Sequence, residues 1–251
     1  MMRVALSKAA FEAEIISRFG APFTQQKPPA QVMSTGIAEV DSIMGGLPRG
    51  AVTEIFGPPS SGRTSFMLAM LAHAIANKEV CTLIDTSDCF DPVSSGETQV
   101  DLDQLLWVRC AANVEHAFKA TDLLLQGGGF GLVLLDLGDI AGKDARRIIS
   151  SWWYRFRRTV ENKPTAIVVM SPESSTRSCA SLTLELNGCA EWIRTKEVGE
   201  QKPEGNVLPI RPVRHPVSLA HANLLRRNSI KVNRRRPITP GLNEVSVCAV
   251  T

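Results

Sequence analysis

The hydrophobic positions follow two rhythms. From Ser34 onward, short apolar runs exchange with longer segments whose apolar residues recur every three or four positions. That exchange predicts strands alternating with helices. "VTEIF" (52–56) predicts a strand, and "TSFMLAMLAHAIAN" (64–77) predicts a helix after a Gly-rich turn. "VCTLID" (80–85) and "LLWVRC" (105–110) predict two more strands, and "NVEHAFKATDLLLQGG" (113–128) a helix closed by glycines. "FGLVLLD" (130–136) and "TAIVVM" (165–170) are continuous apolar runs, the mark of strands buried on both faces, with a helix over roughly 143–161 between them. Then "SLTLEL" (181–186), "AEWIRTKEV" (190–198) and "SIKVN" (229–233) predict strands with no intervening helix. The fold class is therefore α/β, a mostly parallel sheet with helices on both faces and an antiparallel C-terminal extension.

Before this body, residues 3–19 place Leu6, Ala9, Ala10, Ala13, Ile16 and Phe19 at helical spacing, and Gly20 and Pro22 stop the helix. "APFTQQKPPAQ" (21–31) is Pro- and Gln-rich and predicts a linker. A tethered helix suits packing against a neighbouring molecule or folding back on its own domain, and the pattern leaves both open. The expected organisation is an N-terminal helix (1–20), a linker (21–33), a core (34–240) and a C-terminal tail (241–251).

Composition adds bounds. A chain of 251 residues, 44% hydrophobic and 21% charged, can bury the core of one α/β domain. The net charge of +3 is uninformative, but eight Arg/Lys and no Asp or Glu lie between Leu208 and Pro240. The six cysteines, Cys81, Cys89, Cys110, Cys179, Cys189 and Cys248, form no C-x-x-C pair and no metal-ligand spacing, which suits a reduced cytoplasmic compartment. Glu12 and Glu14 interrupt the first apolar stretch, so a signal peptide is not expected, and no run reaches the roughly 20 apolar residues of a membrane span.

"GPPSSGRTS" (57–65) carries the chemistry. A strand, the spacing G-x-x-x-x-G-[KR]-[ST] and a helix together predict a phosphate-binding loop. Gly57 and Gly62 allow close backbone approach, while the amides around Pro58, Ser60, Ser61 and Ser65 and the helix N-terminus hold phosphate oxygens. The Thr64 hydroxyl would ligate magnesium. Asp136, ending a buried strand, either completes that magnesium site through water or caps the next turn. Arg63 stands where such a loop usually has lysine. Its planar fork can still pair with phosphate, but a forked guanidinium sits differently from a point charge.

"MSTGIAEVDSIMGGLPRGAVTEIFGPPSSGRTS" (33–65) resembles the RecA family along its whole length. "CTLIDTSDCFDP" (81–92), "VDLDQLLWVRC" (100–110) and the Asp136 strand continue the likeness. It covers roughly residues 3–140 and then thins. The resemblance implies a RecA-like P-loop core, ATP and Mg2+ as cofactors, Asp91 near adenine, and an N-terminal helix that serves oligomerisation. It also implies that the end of the core, "SIKVNRRRP" (229–237), reaches the nucleotide of an adjacent subunit.

The departures from the family share one direction. Ser87 occupies the position of the water-activating glutamate, with Asp88 adjacent, and a hydroxyl is no general base at neutral pH. Ser94 replaces the adenine-stacking aromatic, and Ser171 with Pro172 replaces the glutamine that senses the γ-phosphate. The two DNA-binding loops shrink to "LGDIAGKD" and "SPESSTRSC". Shortened loops beside a kept core resemble the ImuA- and SulA-related RecA paralogues of mutagenic lesion bypass, as does "RRTVENKPTAIVVMSPES" (157–174).

"KDARRIISSWWYRFRRTVENK" (143–163) mixes aromatics with arginines, which suits single-stranded DNA. Yet Ile149, Trp152, Trp153 and Phe156 stand at helical spacing, which favours packing on the sheet. Arg226, Arg227, Lys231, Arg234, Arg235 and Arg236 are the stronger basic group, open to DNA contact, inter-subunit contact or a solvated face. His73, His116, His215 and His221 form no motif. The expected function is a RecA-like ATP-binding protein of DNA repair, recombination or damage-induced mutagenesis, with weak or no hydrolysis and with DNA loops too short to wrap a strand. Its alternatives are a nucleotide-independent adaptor recruiting a translesion polymerase or a RecA filament, and an active DNA-dependent recombinase ATPase. Expected partners are itself or a RecA-type protein, a translesion polymerase and single-stranded DNA, with no membrane.

Overall fold

The computed structural model of the protein describes Glu14, Ser17 and residues 31–92, 101–138, 140, 148, 150–192, 225–237 and 243–249, with backbone alone at 189–192, 225–228 and 248–249. The chain divides into a unit of Met1–Ala30 and a unit of Gln31–Thr251. Of the helix expected over 3–19, Glu14 and Ser17 are helical, and the Ser17 hydroxyl donates to the Glu14 carbonyl at 2.9 Å. The rest of that helix, residues 21–30 of the expected 21–33 linker, and Ser94 lie outside the described residues.

The second unit opens with a device absent from the expectation. Strands β1 (Val32–Met33) and β2 (Leu47–Pro48) pair antiparallel around helix α1 (Ala38–Met44). Asp41 locks the entry to α1, its carboxylate accepting the Ser34 hydroxyl at 2.6 Å and the Thr35 amide at 3.0 Å. Gly45, in the left-handed region at φ 74°, ends the helix.

Strands β3 (Ala51–Phe56), β4 (Cys81–Asp85), β5 (Leu105–Arg109), β6 (Leu132–Asp136), β7 (Ala166–Ser171), β8 (Ala180–Trp192), β9 (Leu225–Arg236) and β10 (Glu244–Ala249) form one sheet of order β10-β9-β8-β3-β7-β6-β4-β5. Alternate residues feed two cores. Ile55, Leu83, Leu134 and Val168 join Phe66, Met70, Leu71 and Ala74 of α2 (Arg63–Ala76) on one face. Val52, Ile84, Val133, Leu135, Ile167 and Val169 join α3 (Val114–Gly127) and α4 (Ser150–Val160) on the other. Helices therefore cover both faces, as the continuous apolar runs predict.

The aromatic stretch resolves into packing. Trp153 and Phe156 are buried, with Phe118 of α3 edge-on to Trp153 at 4.9 Å and stacked on Phe156 at 5.5 Å. Arg155, on the same helix, binds the buried Asp122 with two hydrogen bonds of 2.6 Å. Of the helix expected over 143–161, the described part runs from Ser150.

The C-terminal strands form the expected antiparallel extension and add detail to it. β8 runs parallel to β3, so the antiparallel part begins at β9. β8 continues from the strand expected at 181–186 through Asn187 and Gly188 to Trp192, the part of the strand expected at 190–198 that lies within the described residues, and a Cβ on Gly188 would meet the backbone of the phosphate loop. Within the segment expected to be a tail, Glu244–Ala249 pairs with β9 as β10, its partly buried Val245 and Val247 packing against the first core.

Candidate nucleotide site

The parallel register aligns the carboxyl ends of four strands. Phe56 pairs with Ser171, Asp85 with Asp136, and Asp136 with Met170. Residues just beyond these ends share one edge of the sheet, the place where open α/β sheets bind ligands.

The loop from Gly57 to Gly62 leaves β3 at that edge and is shaped by neighbours from the far end of the chain. The Gly57 amide donates to the Ser171 carbonyl at 3.2 Å. A Cβ on Gly57 would lie 2.6 Å from the Ser61 Oγ and collide with the Leu186 carbonyl of β8. A Cβ on Gly62 would collide with Ile230 of β9, and one on Gly188 with the Ser60 carbonyl and the Ser61 backbone. Ser60 and Gly62 adopt φ of 63° and 93°, and the Ser61 amide donates to the Pro58 carbonyl at 3.1 Å, which closes the turn.

Helix α2 begins at Arg63 with no side-chain cap on Gly62 and no acid in its first turn. Its first amides therefore have no partner from a cap, the condition that favours an anion at a helix N-terminus. The Ser61 hydroxyl is buried without a hydrogen-bond partner. These features fit a phosphate group.

A cleft of about 290 Å³ opens at this edge, lined by Arg63, Thr64, Met67, Ser87, Cys89, Asp136, Gly138 and Met170. It brings together Arg63, Thr64 and Asp136, as the sequence expectation requires of a phosphate and magnesium site. The Arg63 Nη1 donates to the Gly138 carbonyl at 3.1 Å, and the Gly138 amide donates to the Asp136 Oδ1 at 2.8 Å. Thr64 and Asp136 offer a hydroxyl and a carboxylate, hard oxygen donors of the kind magnesium takes.

Other expected residues stand elsewhere. Asp88, at φ 55°, faces Arg109 at 3.3 Å and the Ala111 amide at 3.4 Å, and does not line the cleft. Ser87 does line it, packed beneath Gly138. Asp91 is exposed and outside the lining, as are Pro58, Ser60 and Ser65. The Ser171 hydroxyl donates to the Glu173 carbonyl at 2.8 Å, within its own turn.

The basic C-terminal segment acquires counter-charges that its own sequence lacks. Lys231 pairs with Glu244 of β10 at 3.6 Å, and Arg235 pairs with Glu185 of β8. Arg234 donates to the Asn243 side chain at 3.4 Å, and Arg236 to the Arg177 carbonyl at 2.8 Å. The side chains of Arg226 and Arg227 lie outside the described residues.

Glu54 is a residue that the sequence reading missed. Wholly buried in β3, it accepts hydrogen bonds from the Ser175 amide (2.6 Å), the Thr176 amide (2.8 Å) and the Ser174 hydroxyl (2.8 Å). It thereby holds the shortened loop after β7. The signal available was an acid in the middle of an otherwise apolar strand.

The model of the RecA N-terminal domain matches residues 4–143, more than half of the chain. The chain is 39% identical over 115 residues to the protein RecA of Laribacter hongkongensis, covering 45% of this chain and 32% of that protein. It is 37% identical over 129 residues to the protein RecA of Deinococcus radiodurans, covering 51% of this chain and 34% of that protein. The matched region thus spans about a third of the length of these curated relatives.

Proposed function

The chain belongs to the RecA family, and on that premise we propose that it is an ATP-binding protein of DNA repair, recombination or damage-induced mutagenesis that hydrolyses ATP weakly or not at all. The observation that carries this reading is the cleft that Arg63, Thr64 and Asp136 line together beside the uncapped start of α2. The amides around the start of α2, from Gly62 to Ser65, would hold the phosphates, and Thr64 with Asp136 would hold the magnesium that ATP brings. When bound, that ion would neutralise phosphate charge.

Weak turnover is supported by what surrounds the cleft. Among the described residues that line it, Asp136 is the one carboxylate. Ser87 offers a hydroxyl where the family has a glutamate, and Asp88 is turned to Arg109 and Ala111. Activation of water needs a base within hydrogen-bond reach, and neither residue is placed to supply one. Association with itself or another RecA-type protein, and contact with single-stranded DNA, belong to the same proposal.

A titration with fluorescent ATP and magnesium, beside a hydrolysis assay with and without single-stranded DNA, tests it. Saturable binding without turnover is the expected result. DNA-stimulated turnover would remove the weak-hydrolysis reading, and absence of binding would favour a nucleotide-independent adaptor.

A further inference from the structure

Helix α4 turns its two sides to different surroundings. On one side Arg155 is paired with the buried Asp122 of α3. On the other, Tyr154, Arg157 and Arg158 stand three and four positions apart, so they share one face, and all three are exposed. The Tyr154 hydroxyl is hydrogen-bonded to the thiol of the buried Cys179, which also feels the charges of Arg157 and Arg236. Arg236 in turn donates to the Arg177 carbonyl at 2.8 Å. Residues from α4, the turn before β8 and the end of β9 thus meet around Cys179.

The positive charge of this face has no counterpart. Among the described residues no carboxylate pairs with Arg157, Arg158 or Arg236, whereas the adjacent Arg155 and Arg235 each hold one. Glu161, one turn beyond Arg157, is the nearest acid along the chain, and among the described residues it forms no ion pair with them. Arginine forks take carboxylates with two parallel hydrogen bonds. Tyr154 supplies the apolar part of the face, 56% exposed and tied from beneath to Cys179. A fixed aromatic ring offers contact area at little entropic cost, and Tyr and Arg are enriched where protein contacts are strongest.

A single strand of nucleic acid asks for something else, a groove with successive aromatic platforms on which bases stack. Tyr154 is the one exposed aromatic among the described residues. Trp152 is partly covered by Phe118 and Arg155, and Trp153 and Phe156 are buried. One anchor beside unpaired arginines suits a short acidic stretch of protein. We propose that this face of α4 docks an acidic peptide segment of a partner protein. Tyr154 takes an apolar side chain of that segment, Arg157 and Arg158 take its carboxylates, and Arg236 adds to the positive field. None of these residues lines the nucleotide cleft, and the inference does not depend on it.

The test measures fluorescence anisotropy of a fluorescein-labelled peptide of alternating glutamate and leucine as the full chain is added, beside an equally labelled oligo(dT). Saturable peptide binding is expected, with Kd raised at least about tenfold by Tyr154→Ala and by Arg157→Ala with Arg158→Ala. Lys119→Ala, which removes an exposed charge from α3, should leave Kd within about twofold. Absence of peptide binding overturns the inference. So does binding that the α4 substitutions leave unchanged, or that Lys119→Ala weakens as much. Tighter binding of oligo(dT), weakened by the same substitutions, overturns it in favour of a nucleic-acid surface. If Tyr154→Ala fails to fold in a urea melt, the double arginine variant decides, since both of its side chains are exposed.

Discussion

The carboxylate of Glu54 accepts the Thr176 amide at 2.8 Å across 122 residues of chain. One residue thus joins the strand that feeds the phosphate loop to the turn that follows β7. Glu54→Gln keeps the shape but weakens the charge-assisted bonds from Ser174, Ser175 and Thr176. Loss of one such bond costs roughly 1.5–3 kcal/mol. A urea melt should show a stability loss on that order, and an unchanged midpoint would mean that the turn is held by other contacts.

Trp153 and Tyr154 are neighbours with opposite fates, one buried and the other exposed. Trp153→Ala should lower stability by about 3–5 kcal/mol, whereas Tyr154→Ala should cost about 1 kcal/mol, on the order of its one hydrogen bond to Cys179. Equal and small effects in chemical denaturation would contradict the packing of α4 against Phe118.

Cys89 is exposed and lines the cleft, whereas Cys81, Cys110 and Cys179 are buried. Brief treatment with iodoacetamide at neutral pH should label Cys89 ahead of those three, as read by peptide mass spectrometry. Saturating ATP should slow the labelling. A rate indifferent to ATP would show that the nucleotide does not enter this cleft.

Burial, and secondarily the Glu79 carboxylate, push the Cys81 thiol from the ordinary value of 9.0 up to about 12. Between those values the folded chain keeps a proton that the unfolded chain gives up, so stability falls as pH rises. This contribution is intact below the ordinary thiol value and is lost as pH climbs toward the raised one. Cys81→Ala should therefore show a shallower alkaline decline in its urea midpoint than wild type. Parallel declines would assign the alkaline sensitivity to other groups.

Gly188 touches the phosphate loop from β8, where a side chain would meet the Ser60 carbonyl and the Ser61 backbone. Gly188→Val should weaken fluorescent-ATP binding by at least about tenfold. Its circular dichroism should stay close to wild type, since β-branched residues suit strands. Undiminished affinity would mean that the loop can shift without losing its ligand.

Much of this was legible in the sequence because local pattern determined it. The β3–loop–α2 order follows from apolar spacing and two glycines, and Asp136 ends its strand where the pattern placed it. What pattern missed depends on contacts between distant segments. Asp88 is adjacent to Ser87 in the sequence, but Arg109 and Ala111 engage it from β5 and the following turn. Lys231 and Arg235 read as uncompensated cations, and their partners Glu244 and Glu185 arrive only when the strands pair. Gly188 drew no notice in the sequence, yet its missing side chain leaves room for a loop more than a hundred residues earlier.

The same contact bears on the order of events during synthesis. The most local motif in the chain is completed by Leu186, Gly188 and Ile230, which leave the ribosome long after Gly57. A growing chain would carry the loop's sequence before it possessed the loop's mould. Competence to take up a ligand would then arrive late, as a check that the final strands have docked.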